Sequence, residues 1–416
     1  ILLPSKDDPQ FFTGKLWLMA SGSWQVRIEA DGDQGDATLA IPVPAFARST
    51  MPMQRDLGVL LGALMILLVA AIISIVGAAN GEAQLAPGQQ PSAQQKRRGR
   101  IAMAIAVVVV AGALTFGGYW WKVSAAERAN RMIYKPPQLF VSLLPNDQML
   151  LRVGPSTWHS RRAEAVSTNL IPDHGHLMHL FLVRVPLMDR FYHLHPTEDK
   201  GGVFLDDLPP ISAGHYQIFA DIVRESGFPD TLVAELDIPE IAGKPLAGDD
   251  STASPSPLPQ DAPANSADNL TSPLYDGSRM VWERAPGPLP SSQLWFRFRV
   301  DDAAGKPATN LESYMGMAGH AEFIRSDLSV FAHVHPDGSI SMAAEELAAA
   351  SLPGKSPNPS GDGTDSAMNM PGMATGPLPP EVAFPYGFPK PGLYRIFVQV
   401  KRAGRVETGV FDAHVR

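Results

Sequence analysis

Two long apolar stretches interrupt a chain in which hydrophobic and polar residues are otherwise mixed. Leu57–Ala79 holds 23 residues without a charge, and Ile101–Trp121 holds 21 more. About 20 apolar residues let a helix cross the hydrocarbon core of a bilayer, whereas a soluble helix of this length normally carries a polar face. The pattern predicts transmembrane helices over residues 56–79 and 101–122. The alternative is a pair of helices buried in a soluble core.

The segment between the two spans, residues 80–100, is polar and ends in a basic cluster. Four basic residues lie directly before the second span: Lys96, Arg97, Arg98 and Arg100. An aromatic group typical of the membrane interface ends that span: Tyr119, Trp120 and Trp121. Since Lys and Arg are enriched in cytoplasmic loops, residues 80–100 are predicted to be cytoplasmic. The large ends of the chain then lie on the outer side of a bacterial inner (cytoplasmic) membrane, which is the periplasm in a Gram-negative cell.

Residues 1–50 alternate between apolar and polar positions, as β-strands do. In WQVRIEA, Val26 and Ile28 share one face, and charged residues share the other. The turn-forming run DGDQGD then leads to a second strand-like run, ATLAIPVPA. We interpret these residues as the C-terminal part of an extracytoplasmic β domain. Fifty residues are too few for an ordinary sandwich, so we expect its earlier strands, and a targeting segment, to precede Ile1.

Strand-like runs also fill two later segments, residues 134–242 and 275–416. The chain has 39 Pro and 36 Gly, and only 18% of its residues are charged. This composition favours short strands joined by turns over a helical bundle. The intervening residues 243–274 hold almost no large apolar side chains and predict a disordered linker.

The two strand-rich segments are internal repeats. FYHLHP at 191–196 recurs as FAHVHP at 331–336, and AGHYQIFADI at 213–222 recurs as PGLYRIFVQV at 391–400. The run L-P-P-x-x-x-G-x-Y in the first copy is typical of a tyrosine corner in a Greek-key sandwich. The predicted fold class is therefore mainly β, with tandem immunoglobulin-like or cupredoxin-like β-sandwiches plus two transmembrane α-helices.

Histidines cluster in the repeated stretches and form two candidate metal sites. Alternate residues of a strand share a face, so the two histidines of each H-x-H point the same way. A third histidine begins the preceding strand in each copy and completes a set of three imidazole ligands. The predicted sets are His179, His193 and His195 in the first copy, and His320, His333 and His335 in the second. The alternative is a structural role, in which the histidines hydrogen-bond a loop and were simply copied by the duplication.

Methionines and the absence of cysteine narrow the choice of metal. Met315 and Met317 precede His320, and the run MNMPGM holds Met368, Met370 and Met373. Imidazole and thioether ligands without thiolate favour copper, and zinc through histidine alone is the alternative. Met315 and Met317 are therefore added to the predicted second site. Without cysteine the chain has no disulfide, zinc–thiolate site, iron–sulfur cluster, cysteine nucleophile or standard blue-copper centre.

The second repeat resembles a known bacterial family. Its GH…F.H.HP stretch, followed by FPYGFPKPGLYRIFVQVKRAGRVETGVFD, is similar to the YtkA-like extracytoplasmic domain. That family is close to the CopC-like and FixH-like sandwiches found beside copper handling. The run WQVRIEADGDQGDATLAIPVP before the first span resembles the end of such a domain. The resemblance implies a β-sandwich fold and a role near copper. CopC-type proteins usually place a metal-binding histidine at the mature N-terminus, and this chain shows none there.

Two functions follow from these patterns. The first is a membrane-anchored extracytoplasmic metal-binding protein that handles copper by delivery, storage or sensing. The second is a structural or accessory subunit of a membrane complex, which uses its sandwiches to dock other membrane or periplasmic proteins. A net charge of −8 and the lack of a basic stripe argue against nucleic acid as a partner. No G-x-S-x-G, H-E-x-x-H or phosphate loop is present, so no enzymatic activity is predicted.

Overall fold

The computed structural model describes residues 2–6, 8–33, 35–155, 169–260, 269–352 and 378–416. The chain forms two compact units. One contains the apolar helices with their flanks, and the other contains the β-rich segments on either side of them. Among the described residues, the fold is mainly β with two long apolar helices, so the predicted fold class is confirmed.

The helical unit is an antiparallel pair, α1 (Arg55–Glu82) and α2 (Ala93–Met132). Both helices are long and apolar enough to cross a membrane, and they contain both predicted spans. They approach closely where glycines meet, since a Cβ on Gly99 would lie 3.0 Å from the carbonyl oxygen of Gly77. The predicted loop 80–100 is non-helical only at 83–92, because α1 continues to Glu82 and a capping box at Ser92 starts α2 before the basic cluster.

The N-terminal segment forms a long β-hairpin. It consists of β3 (Gly22–Gly32) and β4 (Gly35–Ala45), and the short strands β1 (Leu3–Pro4) and β2 (Phe12–Thr13) pair with each other ahead of it. β3 and β4 pair antiparallel along their whole length, as the alternation of WQVRIEA and ATLAIPVPA predicts. Gln25 on β3 donates a hydrogen bond to the carbonyl oxygen of Ala348, which lies in a short helix of the last repeat.

The first repeat is a two-sheet sandwich. Its strands are β5 (Leu139–Leu143), β6 (Gln148–Val153), β7 (Leu170–Ile171), β8 (His179–Val185), β9 (Phe191–Leu194), β10 (Thr197–Lys200), β11 (Val203–Asp207), β12 (Gly214–Arg224) and β13 (Pro229–Ile238). One sheet has the order β10-β11-β6-β5, and the other runs β13-β12-β8-β9 with β7 beside β12. Leu151, Phe204, Leu180 and Ile218 fill the core between the sheets.

The second repeat is also a two-sheet sandwich, and one of its two sheets repeats the strand order of the first. Its elements are β15 (Thr271–Pro273), β16 (Arg279–Trp282), β17 (Gln293–Asp301), β18 (Leu311–Glu312), β19 (His320–Arg325), β20 (Phe331–Val334), α3 (Met342–Ala350), β21 (Glu381–Gly387), β22 (Gly392–Arg402) and β23 (Arg405–Val415); β14 (Ser251–Ala253) precedes them. The order β23-β22-β19-β20 repeats β13-β12-β8-β9. Tyr216 donates its hydroxyl proton to Ser212 O at 2.8 Å, and Tyr394 does so to Lys390 O at 2.7 Å, so both copies have the tyrosine corner.

The two repeated sheets pack face to face, and we call their contact the joint. Strand alternation places one set of residues in each sandwich core and the other set in the joint, which is lined by apolar side chains. Phe191 stacks on Phe397 with ring centroids 4.0 Å apart, and Phe219 stacks on Phe331 at 4.2 Å. In the repeat alignment Phe191 corresponds to Phe331, and Phe219 to Phe397. The two stacks are therefore one contact made twice, which gives the joint an approximate two-fold symmetry.

The segment predicted to be a disordered linker is ordered where the structure describes it. β14 pairs with β9, so that Ser251 lies opposite His193. Leu258 is buried in the joint, and Arg395 donates to the carbonyl oxygen of Ser256. The segment gains its order from the edge of β9 and from the joint. Its own sequence, which is poor in large apolar residues, did not indicate this.

Candidate metal centre

Eight of the histidines lie together at one end of the joint. They are His174, His176, His179, His193, His195, His320, His333 and His335. Six of them belong to two groups of three, and within each group the candidate ligand nitrogens lie within 4.8 Å of one another. The described residues therefore contain two histidine triads that could hold a metal ion.

The first triad consists of His179, His193 and His195, the same three residues that the sequence predicts. His179 begins β8, and the H-x-H pair is at the end of β9, the strand paired with β8. His179 Nδ1 lies 3.1 Å from His193 Nε2. Ligands that surround one zinc or copper ion tetrahedrally at about 2.0–2.1 Å have neighbouring nitrogens about 3.3 Å apart, which is close to this distance.

Hydrogen bonds fix which ring nitrogens carry protons in the first triad. His179 Nε2 lies 3.0 Å from the carbonyl oxygen of Asp173, and His193 Nδ1 lies 2.8 Å from Gln399 Oε1. The Gln399 amide nitrogen donates to Ser251 Oγ, so its oxygen is the atom that faces His193. Both oxygens can only accept, so these ring nitrogens donate. In the neutral rings His179 Nδ1 and His193 Nε2 then have no proton.

His195 completes the pattern. Its Nδ1 lies 3.0 Å from Asp250 Oδ1, while its Nε2 is buried without a hydrogen-bond partner among the described residues. Metal-binding histidines usually donate their second ring N–H to a carbonyl or carboxylate oxygen, which orients the ring and fixes the tautomer. All three histidines of the first triad have such a partner. The remaining nitrogen of each ring has no proton. The lone pairs of these three nitrogens therefore repel one another unless a cation lies among them.

The second triad joins the two sandwiches. It consists of His174, His320 and His335, so His174 takes the place predicted for His333. His174 precedes β8 in the first sandwich, at a turn where its φ is 52°. Asp173 in the same turn accepts a hydrogen bond from the backbone N–H of Ala343 at 2.9 Å, which ties the turn to α3 of the second sandwich. An alignment of the repeats shows which residues are equivalent. It does not show that a residue of one copy, such as His174, joins a site in the other.

Two of the three histidines in the second triad show the same distribution of protons. His174 Nδ1 donates to the carbonyl oxygen of Met315 at 3.0 Å, and His335 Nδ1 donates to that of Ile340 at 3.1 Å. The two Nε2 atoms are left 3.2 Å apart. Neither ring nitrogen of His320 has a hydrogen-bond partner among the described residues. The triad is therefore a second set of imidazoles whose lone pairs face a common space.

Burial keeps these imidazoles neutral, which is the form that binds metal. It lowers the pKa of His174 and of His335 to about 3. Burial also lowers the pKa of His193, His195 and His320 well below the usual value.

Met315 and Met317 lie in a turn that is equivalent to the turn that holds His174 and His176. Tyr314–Met317 forms the same turn as Asp173–His176, with Met315 at φ 49° where His174 is at 52°. Met315 and Met317 thus replace the two histidines of the equivalent turn. The structure gives Met315 a contact through its carbonyl oxygen with His174, and it buries Met317. Ligation through their sulfur atoms stays a prediction, and Met368, Met370 and Met373 lie outside the described residues.

Comparisons with known proteins add little about function. Residues 274–416, which hold most of the second sandwich, match the family described as "Domain of unknown function (DUF8832)". No curated protein matches the chain. Among solved structures it is similar to a chimeric titin Z1Z2 functionalized with a KLER exogenous peptide from decorin, at 9% identity over 68% of this chain and 98% of that one, with a TM-score of 0.14. A chimeric titin Z1Z2-Z1Z2 tandem functionalized with a GRGDS exogenous peptide from fibronectin gives 11% identity, 68% and 100% coverage, and a TM-score of 0.13. Scores this low carry no argument, so function is argued from the two triads.

Proposed function

We propose that this protein is a membrane-anchored extracytoplasmic metal-binding protein that handles copper, by delivery, storage or sensing. The observation that carries the proposal is the pattern of hydrogen bonds around the two triads, from which the positions of the ring protons are inferred. Five of the six imidazoles donate an N–H to a fixed oxygen acceptor and present a bare nitrogen to the triad. A merely structural histidine uses its nitrogens as donor or acceptor toward the fold, whereas these direct lone pairs at one another.

The choice of copper rests on the ligand set. Three neutral imidazoles suit Cu(I), Cu(II) and Zn(II), and hard cations such as Mg²⁺ and Ca²⁺ prefer oxygen ligands. Met315 and Met317 border the second triad in sequence, and thioether sulfur binds Cu(I) in preference to Zn(II). Zn(II) is the alternative ion.

The location rests on the helical pair. α1 and α2 have the length and composition of membrane spans. Lys96–Arg100 at the start of α2 supports a cytoplasmic position for the connection between the helices. The sandwiches and their triads then lie on the extracytoplasmic side of an inner membrane, where they meet metal ions that enter the cell envelope.

Metal analysis of the purified full chain tests this function. After loading with Cu(I) under reducing, oxygen-free conditions and desalting, we expect one ion per triad. The double variant His193→Ala/His195→Ala should lose the ion of the first triad. His215→Ala is the matched control, because His215 is an exposed histidine that pairs with Asp237 on the surface of the first sandwich. A wild-type chain that retains no metal under any loading would leave the docking-module interpretation as the better one.

A further inference from the structure

The approximate symmetry of the joint is broken around one histidine. His193 and His333 are equivalent, and each lies opposite a residue of the preceding strand: Phe181 for His193, and Glu322 for His333. His193 stacks on the Phe181 ring with centroids 4.3 Å apart and donates to the neutral amide of Gln399. His333 has acidic neighbours instead. Its Nδ1 lies 3.5 Å from Asp221 Oδ2.

Asp221 and Gln399 are themselves equivalent positions. Asp221 lies opposite His179 in the β8–β12 pairing, and Gln399 lies opposite His320 in the β19–β22 pairing. The first sandwich thus contributes Asp221 to His333, and the second contributes Gln399 to His193. His333 therefore has two carboxylates as neighbours, whereas the equivalent His193 has an aromatic ring and an amide.

Glu322 is buried without a partner. Its exposed fraction is 0%, and neither carboxylate oxygen has a hydrogen-bond partner among the described residues. The nearest cationic candidate is His193 Nδ1 at 3.9 Å, and the proton on that nitrogen is already donated to Gln399. Burial raises the pKa of Glu322 well above its usual value, and the charge of Asp221 adds to that rise. An isolated buried carboxyl group is unfavourable in either protonation state unless a proton donor or a cation meets it.

His333 belongs to neither triad and lies between them. Its ring centroid is 5.4 Å from that of His179 in the first triad and 5.3 Å from that of His320 in the second. Its Nε2 is buried without a hydrogen-bond partner among the described residues, and so is Asp221 Oδ1. Unsatisfied atoms of the three side chains therefore lie in one region, with Asp221 beside His333 and Glu322 opposite it on the paired strand, although their ligand atoms do not all lie within 4.8 Å of one another.

We propose that Glu322, His333 and Asp221 hold a third cation between the two triads. One imidazole and two carboxylates make a harder and more negative ligand set than a histidine triad, so the site takes a divalent ion such as Zn(II) or Cu(II) in preference to Cu(I). The Glu322 side chain has three rotatable bonds and no hydrogen bond to hold it, so it can move onto an ion at His333. The two carboxylates offset the positive charge that this ion brings next to the triads. This inference rests on the proposed metal-binding function and extends it from two ions to three.

The test counts zinc ions on the full chain. After loading with Zn(II) and desalting, wild-type protein should retain three ions per chain, and Glu322→Gln should retain two. Asp221→Asn, on the other sandwich, should also lose or weaken the third ion, which keeps the test valid if one variant misfolds. Glu235→Gln is the control, because Glu235 lies on the surface strand β13. Anomalous scattering from zinc-loaded crystals should place the third ion about 2.0–2.2 Å from Glu322 and His333.

The outcomes separate the two proposals. Two ions on the wild type, unchanged in Glu322→Gln, would overturn the third site and leave the triads in place. A wild-type chain that retains its Cu(I) ions but no Zn(II) would overturn the third site alone, and a chain that retains neither metal would overturn the proposed function itself. Three ions on the wild type and on both carboxylate variants would assign the third ion to another location and overturn the role of Glu322.

Discussion

His174 and His335 come from different sandwiches, and their Nε2 atoms lie 3.2 Å apart across the joint. Each ring donates its other nitrogen's proton to a backbone carbonyl oxygen of the second sandwich, that of Met315 or Ile340. Without a cation the pair brings two lone pairs together. An ion at this place would turn a repulsive contact into a bond between the two halves of the protein.

Replacing His174 should therefore remove an ion that sequence reasoning assigns to the second repeat alone. We expect His174→Ala in the full chain to lose one Cu(I), and the isolated second repeat, if it folds alone, to lack a complete triad. The matched control is His176→Ala, in the same turn but outside both triads. Copper stoichiometry after desalting measures the effect. A His174→Ala chain with its full complement of copper would show that the second triad does not cross the joint.

The buried histidines predict how the metal-free protein responds to pH. The pKa of His174 is lowered from 6.5 to about 3, so the unfolded chain binds a proton between those values and the folded chain does not. The free energy of unfolding therefore falls as the pH drops from about 6.5 toward 3. At pH 5 the loss due to His174 is about 2 kcal/mol, at about 1.4 kcal/mol per pKa unit.

Urea unfolding of apo wild type and apo His174→Gln at pH 7 and pH 5 measures this contribution. Wild type should lose more stability than the variant over that interval. The comparison of variants is needed because Asp221 acts in the opposite direction. Burial raises its pKa to about 7, so its contribution favours the folded state at low pH and is lost as the pH rises toward 7. Equal losses in the two proteins would contradict a neutral, buried His174.

The two ring stacks hold the sandwiches together, so we expect that weakening a stack also weakens copper binding at the triad that spans the joint. Phe191 is fully buried and stacks on Phe397, so Phe191→Ala should cost about 3–5 kcal/mol of unfolding free energy. A double-mutant cycle with Phe397→Ala should give a coupling of about 0.5–1.5 kcal/mol. A loosened joint should weaken copper at the second triad, which spans the sandwiches, more than at the first. Equal weakening at both triads would contradict this reading.

The helical pair predicts a topology that the cysteine-free chain makes easy to test. A single cysteine at Ser92, in the connection between α1 and α2, should react only after the membrane is opened. A single cysteine at the exposed position Ser254 should react with an impermeant maleimide in intact spheroplasts. Mass-shift labelling of each variant checks this. Reaction of both from outside would reverse the assignment of the basic cluster to the cytoplasm.

Periodicity predicted the first triad because every part of it lies within one sheet. His179, His193 and His195 follow from strand alternation and from the pairing of β8 with β9. His174 did not follow, since its position depends on a turn with positive φ and on the packing of a second sandwich against it. One signal was present: DHGH aligns with YMGM, so both turns hold metal-ligand residue types at the same two positions.

Order in residues 243–260 was missed for a related reason. The segment has too little apolar surface to fold by itself, and its strand β14 exists because β9 offers an unpaired edge. Asp250, which orients His195, lies in that segment. Local composition predicts that this segment is disordered by itself, and pairing with β9, which is distant in sequence, orders it.

The paired stacks of Phe191 on Phe397 and Phe219 on Phe331 are the contact that two identical chains make when they associate about a two-fold axis. In such a homodimer every substitution appears twice, so a charge introduced beside one site is introduced beside the other. Gene fusion removes that constraint, because each half can then mutate alone. Glu322 stands at the position equivalent to Phe181, and Asp221 at the position equivalent to Gln399. Two identical chains cannot hold such differences, whereas a fused pair can. The linker of this protein therefore does more than connect two copies, since it allows one ancestral surface to evolve into two unlike ones.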